Sequence, residues 1–147
     1  MVDMISRRTF ESINLPLIQA MVDEIRRLGM QSIYYYCGDP KGKLDLLLET
    51  GADALALEES KKGFTIDIQA VAETIDGRCA LLGNLDAIHL LPEASAEELR
   101  QEINRQIQAG WRNRGRFILS IGSPVTPGTT PARVRQYTDL THGLGRK

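Results

Sequence analysis

The stretch Gly51-Ala52-Asp53-Ala54-Leu55-Ala56-Leu57-Glu58 decides the fold. It is apolar, too short for a stable helix, and opened by a glycine, so residues 52–58 read as a strand around Leu55 and Leu57. Just before it, Leu44, Leu47 and Leu48 mark a helix that Gly51 closes. Just after it comes a loop holding Lys61, Lys62 and Gly63. Residues 67–75 then read as a helix with Ile68, Val71, Ala72 and Ile75 inward, ended by Asp76-Gly77. A strand set between two helices is therefore the unit to look for on either side.

The unit recurs in both directions. Upstream, residues 10–28 carry Ile13, Leu17, Met21, Ile25 and Leu28 at helical spacing, a seam expected to face the core. Pro16 is expected only near that helix's first turn, and Gly29 stops it. Residues 32–36 form a strand that ends in the turn Cys37-Gly38-Asp39-Pro40. Downstream, residues 79–82 are a third strand running into Gly83-Asn84-Leu85-Asp86. Ser95 and Glu98 make a capping box for a helix whose seam is Leu99, Ile103, Ile107 and Trp111. Residues 117–121 are a fourth strand, broken by Gly122-Ser123-Pro124. Thr130-Pro131 opens a last helix, with Val134 and Tyr137 inward, that frays towards Lys147. The order α-βα-βα-βα-βα predicts a parallel sheet covered by helices. Ligands of such sheets sit at the C-terminal strand ends. The loops there are 37–43, 58–65, 83–94 and 122–130. Residues 38–43 lack the glycine spacing and the Lys-Ser or Lys-Thr pair of a phosphate loop and read as an ordinary strand–helix turn.

The bulk numbers fit a single domain over residues 1–147 and narrow the function. A net charge of -1 argues against a nucleic-acid footprint. No apolar run approaches the ~20 residues of a membrane span. Met1-Val2-Asp3 opens without a basic stretch and apolar run, so no export signal is expected. Cys37 and Cys79 are too few for a disulfide framework, so a reducing cytoplasm is the expected location.

Four segments together resemble the uroporphyrinogen decarboxylase superfamily, which includes zinc-dependent methyltransferases working with corrinoid proteins and thiols. They are Ile33-Tyr34-Tyr35-Tyr36-Cys37-Gly38 after the Pro16 helix, Gly51 to Glu58, Leu82-Gly83-Asn84-Leu85-Asp86, and Phe117-Ile118-Leu119-Ser120-Ile121-Gly122 followed by Thr130-Pro131. The resemblance covers almost the whole chain. It implies the C-terminal half of a (β/α)8 TIM barrel, with four parallel strands and flanking helices, in a family whose members are usually more than twice this length. The expected activity is thiol- and corrinoid-linked methyl transfer. The alternatives are a non-catalytic subunit that completes a barrel with a partner, or a decarboxylase of a carboxylated tetrapyrrole.

The resemblance also implies a site. The family's His-x-Cys pair falls on Tyr35 and Cys37. A glutamate after the next strand falls on Glu58 or Glu59, and a last cysteine on or beside Ser123. Cys37, Glu58 and Glu59 are the implied catalytic residues. Tyr35, Asn84, Asp86 and Ser123 would meet the substrate, and Cys37 with Glu59 would hold zinc. Tyrosine and serine are hard ligands, poor substitutes at a zinc thiolate site. The bland alternative is a small residue at a strand end for Cys37 and a barrel-filling side chain for Tyr35. The decarboxylase branch has a histidine in a Gly-His-Gly loop, where this chain has Gly122-Ser123-Pro124. Four strands also leave two open edges. The expected partners are a second copy or an N-terminal-half protein, with a corrinoid protein on the methyl-transfer reading.

Overall fold

The computed structural model describes residues 5–60 and 63–145. Lys61 and Lys62, in the loop expected after the second strand, lie outside them. The first helix, α1, joins three stretches, Arg7–Thr9, a π-helical turn at Phe10–Asn14, and Leu15–Arg27. The remaining elements follow the alternation: β1 (Ile33–Tyr36), α2 (Leu44–Glu49), β2 (Ala54–Leu57), α3 (Ile68–Ile75), β3 (Ala80–Leu82), α4 (Leu90–Glu93), α5 (Ala96–Arg112), β4 (Phe117–Ile118) and α6 (Pro131–Gly145). The short α4 falls in a stretch expected to be loop. No helix among the described residues is long and apolar enough to cross a membrane.

Pro16 stands well inside α1 rather than near its start. Its ring nitrogen carries no proton, so one helical hydrogen bond must be missing. The π turn just ahead absorbs the fault, with the Leu15 amide donating to the Phe10 carbonyl five residues back. The helix ends as expected at Gly29, whose φ of 73° suits glycine, with the Met30 amide returning to the Ile25 carbonyl at 3.1 Å.

The four strands are parallel in the order β1-β2-β3-β4. Registered residues share a face. Tyr34, Leu55, Leu81 and Phe117 form one row, with Tyr36 and Leu57 on the same side. This row packs with Leu46, Leu47, Ile68, Val71, Ala72 and Ile75 into the main core, against the helix layer. Tyr35, Ala56, Leu82 and Ile118 make the opposite row, with Ile33, Ala54 and Ala80 beside it. On that inner face Ile33, Tyr35 and Ile118 are 62%, 44% and 53% exposed. A smaller core of Leu85, Leu91, Leu99 and Ile103 lies under α4, α5 and α6.

Two expectations about burial are corrected. On α1 the buried side chains are Phe10, Leu15 and Val22, with Ile18 half-buried beside them. The expected seam residues Ile13, Leu17, Met21 and Leu28 are exposed, and only Ile25 is half-buried. Trp111, expected inward on α5, is also exposed. Each lies on a helix face that this chain leaves uncovered. At the opposite end of the sheet from the ligand loops, Asn113 is a lock that the sequence reading missed. Fully buried, it accepts from the Gly77 amide and donates to the Cys79 and Arg116 carbonyls, fixing the starts of β3 and β4.

Candidate functional site

The C-terminal strand ends are organised by the segment that follows β4. Ile121 pairs with Leu85 beyond β3, and the Gly122 amide donates to the Leu85 carbonyl at 2.9 Å. Gly122 then lies on the chain leaving β2. A Cβ there would fall 2.2 Å from the Glu59 amide nitrogen and 2.5 Å from Glu59 Oε2. Only glycine permits that approach of two backbones. The Gly122 carbonyl accepts a 2.6 Å hydrogen bond from the Tyr35 hydroxyl, which reaches over from β1. One short segment therefore touches the ends of β3, β2 and β1 in turn. A depression of about 250 Å³ remains there, lined by Tyr35, Ile121, Gly122, Ser123 and Pro124.

The expected site residues divide between this cluster and its surroundings. Glu58 and Glu59 are both buried directly after β2. The Glu58 carbonyl accepts from Asn84 Nδ2 at 3.1 Å, tying the end of β2 to the turn after β3. Ser123 is half-buried beside Gly122. Tyr35, Glu59 and Ser123 are thus brought to one place, with Asn84 bracing it. Cys37 is a half-buried free thiol directly beyond β1. Burial raises the Tyr34 phenol above its ordinary value, and the Cys37 charge adds to that shift.

Asp86 serves the local turn. It accepts from the amides of Ile88 at 2.8 Å and His89 at 2.9 Å, and lies 3.2 Å from His89 Nδ1. Burial works against its charge, but these hydrogen bonds outweigh burial and hold the carboxyl below its ordinary range. The Asp86–His89 pairing went unread in the sequence, although three-residue spacing after a Gly-Asn-Leu-Asp turn allows it. The part of Gly122 was missed as well. Its only trace is a glycine after a strand, which equally suits any turn.

A zinc thiolate centre needs several soft donors converging on one ion. The donors described here do not fit one. The Tyr35 hydroxyl already donates to a backbone carbonyl, a serine stands at 123, and among the described residues no group of three His, Cys, Asp or Glu side chains converges.

The comparisons with known proteins agree with this architecture. The family model for uroporphyrinogen decarboxylase (URO-D) matches residues 1–144. A uroporphyrinogen decarboxylase from Ralstonia pickettii is 32% identical over 106 residues, covering 70% of this chain and 27% of that protein. The methylcobamide:CoM methyltransferase MtbA of Methanosarcina mazei is 20% identical over 137 residues, covering 93% of this chain and 37% of that one. Among solved structures, a methyltransferase from Methanosarcina mazei superposes with a TM-score of 0.79 at 17% identity, covering 98% of this chain and 39% of the other. The chain thus spans well under half the length of these relatives. Its parallel strands and flanking helices are the C-terminal half of a (β/α)8 barrel, and the chain belongs to the uroporphyrinogen decarboxylase family.

Proposed function

We propose that this chain supplies the ligand-orienting half of a barrel from the methyl-transfer branch of the family. The reacting thiol would be held at the strand ends and any metal supplied from outside this half. The choice of branch is supported by extent. Similarity to the methylcobamide:CoM methyltransferase runs over 93% of the chain, whereas the decarboxylase match stops at 70%. The role is carried by one observation, the hydrogen bond from Tyr35 to the Gly122 carbonyl. It commits the tyrosine at the family's histidine position to bracing the mouth. In the reading proposed here, Glu59 and Ser123 orient the ligand, Asn84 and Asp86 hold the loops, and Cys37 stands at the rim. A corrinoid would be carried by a partner protein.

The decarboxylase reading keeps one observation in its favour, the higher identity of 32% to the Ralstonia enzyme. Gly122-Ser123-Pro124 offers no histidine to that chemistry. An amide-resolved NMR titration separates the two. Coenzyme M should move the Glu59, Asn84, Gly122 and Ser123 amides without added zinc. Shifts that require stoichiometric zinc would defeat the proposed role. Shifts caused by a carboxylated porphyrin and not by coenzyme M would defeat the choice of branch.

A further inference from the structure

Two loops build most of the candidate site, 83–94 after β3 and 122–130 after β4, and one side chain joins their far ends. α4, near the end of the first loop, is a single turn of four residues, too short to hold itself in water. Its last carbonyls need donors from elsewhere. The Leu90 carbonyl accepts from the Ala94 amide at 3.0 Å. Arg133 of α6 serves the others. Its Nε donates to the Leu91 carbonyl, and its Nη2 to the Ala94 carbonyl and, more loosely, at 3.4 Å to that of Leu90. Its Nη1 donates to Gln136 Oε1 at 2.7 Å, which fixes the guanidinium from its own helix. The planar fork of donors holds these acceptors in one geometry, which the flexible ammonium of a lysine does not.

From α4 the bonding runs to the site. Leu91 is buried in the smaller core, and its amide donates to the Asp86 carbonyl at 2.8 Å. Two residues earlier, Asn84 donates to the Glu58 carbonyl, and Leu85 between them pairs with Ile121. In the other direction the Arg133 amide donates to Thr130 Oγ1 at 3.2 Å, at the end of the loop that carries Gly122 and Ser123. Arg133 thus ties together two loops whose near ends meet at the strand ends.

We infer that Arg133 is a positioning residue for the candidate site. It caps α4 from outside and so sets Asn84 and Asp86 against the Gly122–Ser123 segment. Its guanidinium is half-buried and bonds to α4 and α6 rather than to the strand-end groups, so its effect passes through α4. The inference rests on the site proposed above and not on its ligand.

The test is NMR of the full chain carrying R133M, which keeps an apolar stem and removes every side-chain donor. The amides of Leu91 and Ala94 should exchange at least about tenfold faster, as expected for the loss of one hydrogen bond to a charged group. In the free chain the Gly122 amide and the Asn84 side-chain amide resonances should move. R133K, a milder change, should move them in the same direction by less. N113A, which loosens the opposite end of the sheet, should leave them in place. Coenzyme M should bind about tenfold more weakly to R133M than to the wild type. Site resonances unmoved in R133M, or moved equally by N113A, overturn the inference. Failure of the wild type to bind coenzyme M defeats the ligand reading alone, since the free chain decides the positioning role.

Discussion

Tyr35 shows how one substitution redirects a site. Its ring projects from β1 on the inner face, and its hydroxyl closes on the Gly122 carbonyl at 2.6 Å. Y35F leaves that carbonyl without its donor and should cost about 1–2 kcal/mol in urea unfolding. A loss under a few tenths would mean that the brace carries no weight. A second residue-scale prediction concerns Asp45, which pairs with Arg7 and so ties the start of α1 to α2. The hydrogen bond from Arg7 pulls its carboxyl down to about 2. Because the folded value is depressed, the pair's stabilisation is complete above the ordinary carboxylate value of about 4 and is lost as pH falls through about 2. Both partners are solvent-exposed, so the effect should be small and weakened by salt. The wild type should be the more stable at pH 6, and most of its margin over D45N should be gone as the pH falls to about 2. A margin that persists there would remove Arg7–Asp45 as its cause. The types and spacing of Tyr35, Glu59 and Ser123 could be read in the sequence. The brace could not, because it depends on a backbone carbonyl 87 residues away.

At the scale of elements, α1 is the informative one. Its spacing gives two apolar faces, and periodicity says only that a face is apolar, not which neighbour covers it. The reading therefore chose the Ile13-Leu17-Met21 face, while Phe10, Leu15 and Val22 meet the core of this chain. Trp111 was misjudged for the same reason. The strands were legible because each is a short apolar run between turn residues, and the Ser95–Glu98 capping box stands as expected. These faces make opposite predictions. L17E should change stability by less than about 0.5 kcal/mol, as at other exposed sites. L46A, in the core between α2 and β2, should cost about 2–5 kcal/mol. Equal losses in thermal or urea unfolding would mean that the α1 stripe is covered within the chain.

For the whole molecule, the sheet has the topology of a barrel without its closure. The strand order, the two core clusters and the bracing of the strand ends are complete within the chain. The inner face and both edges are not. Unit count and strand direction followed from alternation alone, since helix and strand periods are local properties. What completes the barrel was not legible, because it depends on groups outside this chain. The central claim is the proposed one, that the strand-end groups of this half orient the ligand and that any metal is supplied from outside it. Native mass spectrometry of the purified chain after zinc is supplied tests it most directly, since it reports bound metal and its stoichiometry. The account predicts a species that stays metal-free. A species carrying stoichiometric zinc would contradict it.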